Sequence, residues 1–150
     1  MSFYDFLVFV HILSAIVGLG PGFIMTFIVM KATTMTELRH AYFLRKLLHI
    51  FVMIGGILLL ATGLLMGMIN TYLFKEGWYI TSLFLFLITL ASGPIILKPV
   101  SHPIHQIIAE HKGEDIPNVY YRHAKKLFLY EHILNFIFII IITLMILKPF

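Results

Sequence analysis

Apolar residues run almost unbroken from Phe6 to Met30, Leu47 to Ile69, Trp78 to Leu97 and Leu127 to Ile146, and polar residues gather in the tracts between. Each run reaches the ~20 residues a helix needs to cross the hydrocarbon core of a bilayer. The pattern predicts an all-α, integral membrane, four-helix up-and-down bundle, one domain over residues 1–150. Lipid is then the first partner. Within these residues little chain remains for a water-soluble catalytic domain, so no catalytic residue is assigned. The stretch Met1 to Asp5 has no basic residue, and the run after it exceeds the ~7–15 apolar residues of a signal peptide, so the first span is expected to stay as a helix.

Shorter signals mark the connections. Thr36 is the expected N-cap leading into the second span. In "KPVSHPIHQIIAEHKGED", Ser101 is placed to cap a short helix with Pro103 in its first turn, Ile104, Ile107 and Ile108 on one side and Gly113 as its stop. That reads as an amphipathic helix lying on the cytoplasmic surface. The sequences "IILKP" and "MILKP" each look like a device that ends a membrane helix with a lysine and a proline. Trp78, with Tyr72 and Tyr79, suits the aromatic belt at the opposite interface.

Composition agrees with the pattern. The chain of 150 residues is 60% hydrophobic and 12% charged, with a mean hydropathy of +0.96, well outside the range of soluble domains. The formal charge of +4 is placed by topology. Lys31, Arg39, Arg45 and Lys46 lie between the first two spans, and Lys98, Lys112, Arg122, Lys125 and Lys126 between the last two, leaving Lys75 and Lys148 elsewhere. The positive-inside bias puts both long connections in the cytoplasm and both termini outside. Nucleic acid is therefore not the expected partner of these cations. There is no cysteine, which removes disulfides, thiolate metal sites and thioether-linked haem, and leaves eight His and eight Met as ligands.

Small residues and histidines share helix faces. His11, Ala15, Gly18 and Gly22 fall on one stripe of the first span, and His49, Gly56, Gly63 and Gly67 on one stripe of the second. Such stripes let backbones approach closely, and they also leave room for a planar macrocycle beside an axial histidine. Pro21 predicts a kink in the first span.

His11, His49 and His132 lie within apolar spans, where an ionisable side chain is costly and needs either a ligand role or a hydrogen-bonding neighbour. At ~1.5 Å per residue, His11 lies ~28 Å from the cytoplasmic end of its span, whereas His49 and His132 lie ~3 Å and ~8 Å from theirs. His49 and His132 are thus able to share one haem, and His11 must act apart from them. On its own side His11 is level with Met66 and Met68, a set suited to haem iron or copper. Glu131 has two readings: orienting a neighbouring imidazole, or pairing with Arg45, Lys46 or Lys126. His102, His105, Glu110, His111 and His123 form a polar cluster that either binds a divalent metal or is simply solvated. Ser82, Thr89 and Ser92 share a face of the third span, the pattern of helix packing through hydroxyls.

A histidine early in the first of four helices, followed by small residues and then a glycine-rich second helix, resembles an uncharacterised family of bacterial integral membrane proteins. More distantly it resembles the superfamily of copper-resistance protein D and the HemJ-type protoporphyrinogen oxidases. The resemblance implies b-type haem at His11, with copper as the alternative at the same place. The HemJ-type oxidases also carry a functional lysine in their third helix. The third span here has none before Lys98, and the oxidase activity is not carried over.

The expected function is therefore a haem b-binding membrane protein in electron transfer or tetrapyrrole handling, with a quinone or another membrane protein as redox partner. One alternative is a non-catalytic scaffold or assembly factor whose glycine faces meet partner subunits or a second copy. Another is a copper-handling protein or small permease using His11, Met66 and Met68.

Overall fold

The computed structural model describes residues 1–150 and is helical throughout. It has five α-helices: α1 (Phe3–Met30), α2 (Met35–Ile69), α3 (Gly77–Ser92), α4 (Lys98–Glu110) and α5 (Asn118–Leu147). A 3-10 turn, Thr71–Lys75, joins α2 to α3, and a π-helical turn, Gly93–Leu97, makes α3 and α4 one continuous rod. Four rods are long and apolar enough to cross a membrane, as the pattern of the sequence requires. They alternate in direction and form a four-helix membrane bundle. The first connection and the 111–117 loop lie at one end of it, the connection end. The terminus end holds Ser2, Thr71–Lys75 and the last residues.

The helix boundaries follow local chemistry. Ser2 and Asp5 make a reciprocal capping box at the start of α1, with N–O distances of 3.1 and 2.8 Å. The cap of α2 is Thr34 rather than Thr36: its backbone is extended, and its hydroxyl accepts from the Glu37 amide at 3.2 Å. Thr36 sits two residues inside and donates to the Glu114 carboxylate. The earlier start has a packing reason. Met35, Leu38, Ala41 and Tyr42 fall on one stripe and are all buried, so the polar-looking segment ahead of the apolar run is a helix with its own core face.

The two Leu-Lys-Pro sequences behave differently. At Lys98 the helix does not stop. Pro94 and Pro99 each withhold an N–H, and the wider π-helical turn gives the chain room to pass the prolines without breaking. The helix also has a reason to go on, since Ile104 is 0% exposed in the core beyond. The amphipathic helix thus exists but grows out of α3. Ser101 lies inside it, donating to the Lys98 carbonyl at 3.1 Å, and it ends at Glu110, before Gly113. At Lys148 the helix does stop: Lys148 adopts a left-handed backbone with φ 45°. The chain then folds back, so the Phe150 carbonyl accepts from the Trp78 amide at 2.9 Å and Lys148 Nζ lies 5.2 Å from the Trp78 ring centroid.

Within the bundle α1 packs most extensively on α2, and α3 on α5, while the contacts between these two pairs are slighter. Gly18 and Gly55 set the first pairing: a Cβ on Gly18 would sit 2.9 Å from the Gly55 Cα, and one on Gly55 would strike the Gly18 backbone. Gly18 is on the stripe read from the sequence and Gly55 is not. Gly22 meets nothing, Gly63 faces the His11 ring, and Gly67 packs under Phe74 and Tyr79.

The densest apolar core sits at the connection end, where Val29, Met35, Leu38, Ala41, Tyr42, Ile104, Tyr120, Ala124 and Leu127 meet. At ~1.5 Å per residue α2 is ~52 Å long, well beyond a ~30 Å hydrocarbon core, so its first turns carry this cluster past the lipid. Just beneath the cluster Arg45 of α2 pairs with Glu131 of α5, and Thr26 of α1 donates to the same carboxylate at 2.7 Å. Glu131 thus takes the cation partner, the second of its two readings.

Two outcomes are expected in thermal unfolding in detergent. Gly55→Ala costs about 1–3 kcal/mol through the clash with α1, whereas Gly22→Ala is neutral or stabilising. Arg45→Met costs about 3–5 kcal/mol by stranding Glu131, and adding Glu131→Leu recovers most of that loss.

Candidate functional site: a cavity between the helix pairs

Where the two pairs meet only loosely, a cavity of about 530 Å³ lies towards the terminus end. Every transmembrane rod contributes: His11, Ile16 and Phe23 from α1, Leu59 and Gly63 from α2, Tyr79, Ser82 and Phe86 from α3, and Ile141 and Met145 from α5 are among the residues that line it. The α1 wall from His11 to Phe23 is ~18 Å long. The size falls within the ~300–1,000 Å³ usual for small-molecule and cofactor sites. Ile12 and Ile16 line the cavity and are also exposed, so it reaches the lipid-facing surface beside α1.

The Thr62 hydroxyl oxygen lies 2.8 Å from His11 Nδ1 and 2.6 Å from the Leu58 carbonyl. The hydroxyl has one proton; placed on that carbonyl, it leaves Nδ1 to carry the ring hydrogen and donate to Thr62. Nε2 is left with its lone pair as the nitrogen available to the cavity. Gly63 makes room for this ring, since a Cβ there would lie 3.4 Å from His11 Cε1. One turn towards the terminus end, the Tyr79 hydroxyl donates to the Gly63 carbonyl at 2.8 Å and ties α3 to α2.

Ser82 is the second polar feature. Its side chain is fully buried, lines the cavity and has no hydrogen-bond partner in the protein. Thr89 and Ser92, on the same face, donate to carbonyls of their own helix at 2.8 and 2.6 Å. A hydroxyl in this position that forgoes even that bond is an unmet demand inside an apolar site.

The remaining residues singled out in the sequence lie elsewhere. His49 and His132 are both exposed and line no part of the cavity, and His132 borders a groove on α5. Met66 is buried outside the cavity lining, and Met68 is 70% exposed. The thioether that shares the cavity with His11 is Met145, which periodicity alone does not distinguish from its apolar neighbours. In the connection-end histidine cluster each ring has separate company. His102 Nε2 lies 3.3 Å from Gln106, His105 stands edge-on to Tyr42, and the buried His111 Nε2 bonds to neither of them. No three of the His, Asp or Glu side chains converge as a metal site.

Comparison with known proteins adds a family. A profile of the family described as predicted integral membrane protein (DUF2269) matches residues 5–149. The chain belongs to that family. The match takes in all four rods and therefore every residue of the cavity. Neither a curated protein nor a solved structure matches the chain.

An unpartnered buried hydroxyl costs the empty protein stability. Ser82→Ala is therefore expected to raise the midpoint of thermal unfolding of ligand-free protein, by the equivalent of about 1–3 kcal/mol.

Proposed function

We propose that this membrane protein holds b-type haem in the cavity, with His11 Nε2 as axial ligand, and serves electron transfer within the bilayer. The observation that carries the reading is the Thr62 contact at His11 Nδ1, which would leave the Nε2 lone pair for an apolar, cofactor-sized space. A metal-ligating imidazole is typically oriented in this way through its other nitrogen. Met145 on α5 is the other residue that would hold the group, and a His/Met pair would raise its potential. The cavity lining has no cation for the two haem carboxylates. Lys148 lies one turn beyond Met145, at the terminus end, where it would be the cation for carboxylates reaching the interface.

A second reading rests on Ser82 and the opening to lipid. A quinone entering from the bilayer would accept from the Ser82 hydroxyl, and its reduced form would donate to His11 Nε2. The two readings differ in colour.

Protein purified after expression with ample haem precursor is expected to show a Soret band that shifts on reduction. His11→Ala abolishes it, Met145→Leu changes its position or the midpoint potential, and Thr62→Val weakens haem retention by about 10–100-fold. Colourless wild-type protein carrying an organic-extractable quinone would replace haem with the second reading, and colourless protein carrying neither would overturn both.

A further inference from the structure

The face of α5 that points away from the bundle carries a feature independent of the cavity. A groove at the connection end is lined by Tyr121, Arg122, Lys125, Lys126, Leu129 and His132, among others. The three cations lie on adjacent turns of one helix and are exposed, with Leu129, Ile133 and Phe136 continuing the same region as exposed apolar surface towards the middle of the membrane. The cations stand immediately before the apolar run that begins at Leu127, which places them at the level of the lipid headgroups.

These charges are unspent. The chain has one ion pair, Arg45 with Glu131, and Arg39 donates to the Ile108 and His111 carbonyls at the end of α4. Arg122 is the third arginine and bonds nothing in the protein. Glu131, the acidic residue nearest in sequence to Lys125 and Lys126, points to the opposite side of α5, into the bundle, and Asp115, seven residues before Arg122, makes no ion pair with it. Holding Arg122, Lys125 and Lys126 together without a counter-charge costs repulsion that a phosphodiester relieves, and each basic residue near a membrane surface is worth ~1 kcal/mol towards an anionic lipid.

We infer that this groove is a binding site for an anionic phospholipid, its phosphate held by Arg122, Lys125 and Lys126 and an acyl chain lying along Leu129, Ile133 and Phe136. The continuous apolar strip is what selects a lipid over a free anion. Tyr121, at the rim, is suited to the interfacial layer. The site also explains why this end of the chain concentrates cations beyond those that its own carboxylates and carbonyls engage.

The test uses full-length protein in detergent micelles, titrated with phosphatidylglycerol or with phosphatidylcholine of the same chains, and read by native mass spectrometry and thermal unfolding. Phosphatidylglycerol adducts and a rise in unfolding temperature are expected for the wild type, with no such effect from phosphatidylcholine. Arg122→Gln/Lys125→Gln/Lys126→Gln should weaken phosphatidylglycerol retention on the order of 100-fold, while Lys75→Gln at the opposite end leaves it unchanged. Should the triple variant fold poorly, Lys125→Gln alone and a salt titration of the wild type serve instead, and both should lower retention. Equal binding of the two lipids, retention insensitive to the triple variant and to salt, or stabilisation reproduced by inorganic phosphate would each overturn the inference.

Discussion

Lipid removes the hydrophobic effect as a force between helices, because an apolar side chain gains nothing by exchanging a hydrocarbon tail for a neighbouring leucine. What holds this bundle follows from where other forces operate. At the connection end α2 and α4 reach beyond the hydrocarbon, and there the chain builds its one dense apolar core, from Met35 to Leu127. Directly beneath it, desolvated charge takes over in the Arg45, Glu131 and Thr26 cluster, which joins α1, α2 and α5. Deeper still, backbone contact between Gly18 and Gly55 brings α1 against α2.

The cavity is the complement of that arrangement. The two helix pairs are clamped at the connection end and tied at the other by the Tyr79 to Gly63 bond. Between these ties no polar contact draws the pairs together, and apolar packing supplies little drive. The space left is apolar, opens to lipid, and holds two polar groups of opposite character, an acceptor at His11 Nε2 and a donor at Ser82. Such a site suits a molecule that is itself at home in the bilayer.

The periodicity of apolar and polar residues determined the class of the fold, its four spans and the location of His11, because twenty apolar residues have one stable environment and an imidazole among them needs a partner. It also placed Glu131 beside a set of cations that included the right one. It did not determine that α2 begins at Met35, since a stripe of four core positions in a charged segment gains its meaning from Ile104 and Leu127, which are distant in sequence. Nor did it separate two identical Leu-Lys-Pro sequences, one inside a helix anchored by Ile104 and the other at a helix end.

Tertiary structure alone decided which small residues touch, which histidine turns inward and which methionine accompanies it. A helix face is legible in one dimension, but its rotation about its own axis is set by neighbours. Gly55 rather than Gly56 has no room for a Cβ against Gly18, and Met145 rather than Met66 or Met68 shares the space with His11. His49 and His132 match in depth yet neither lines the cavity, because depth comes from counting residues and orientation comes from packing.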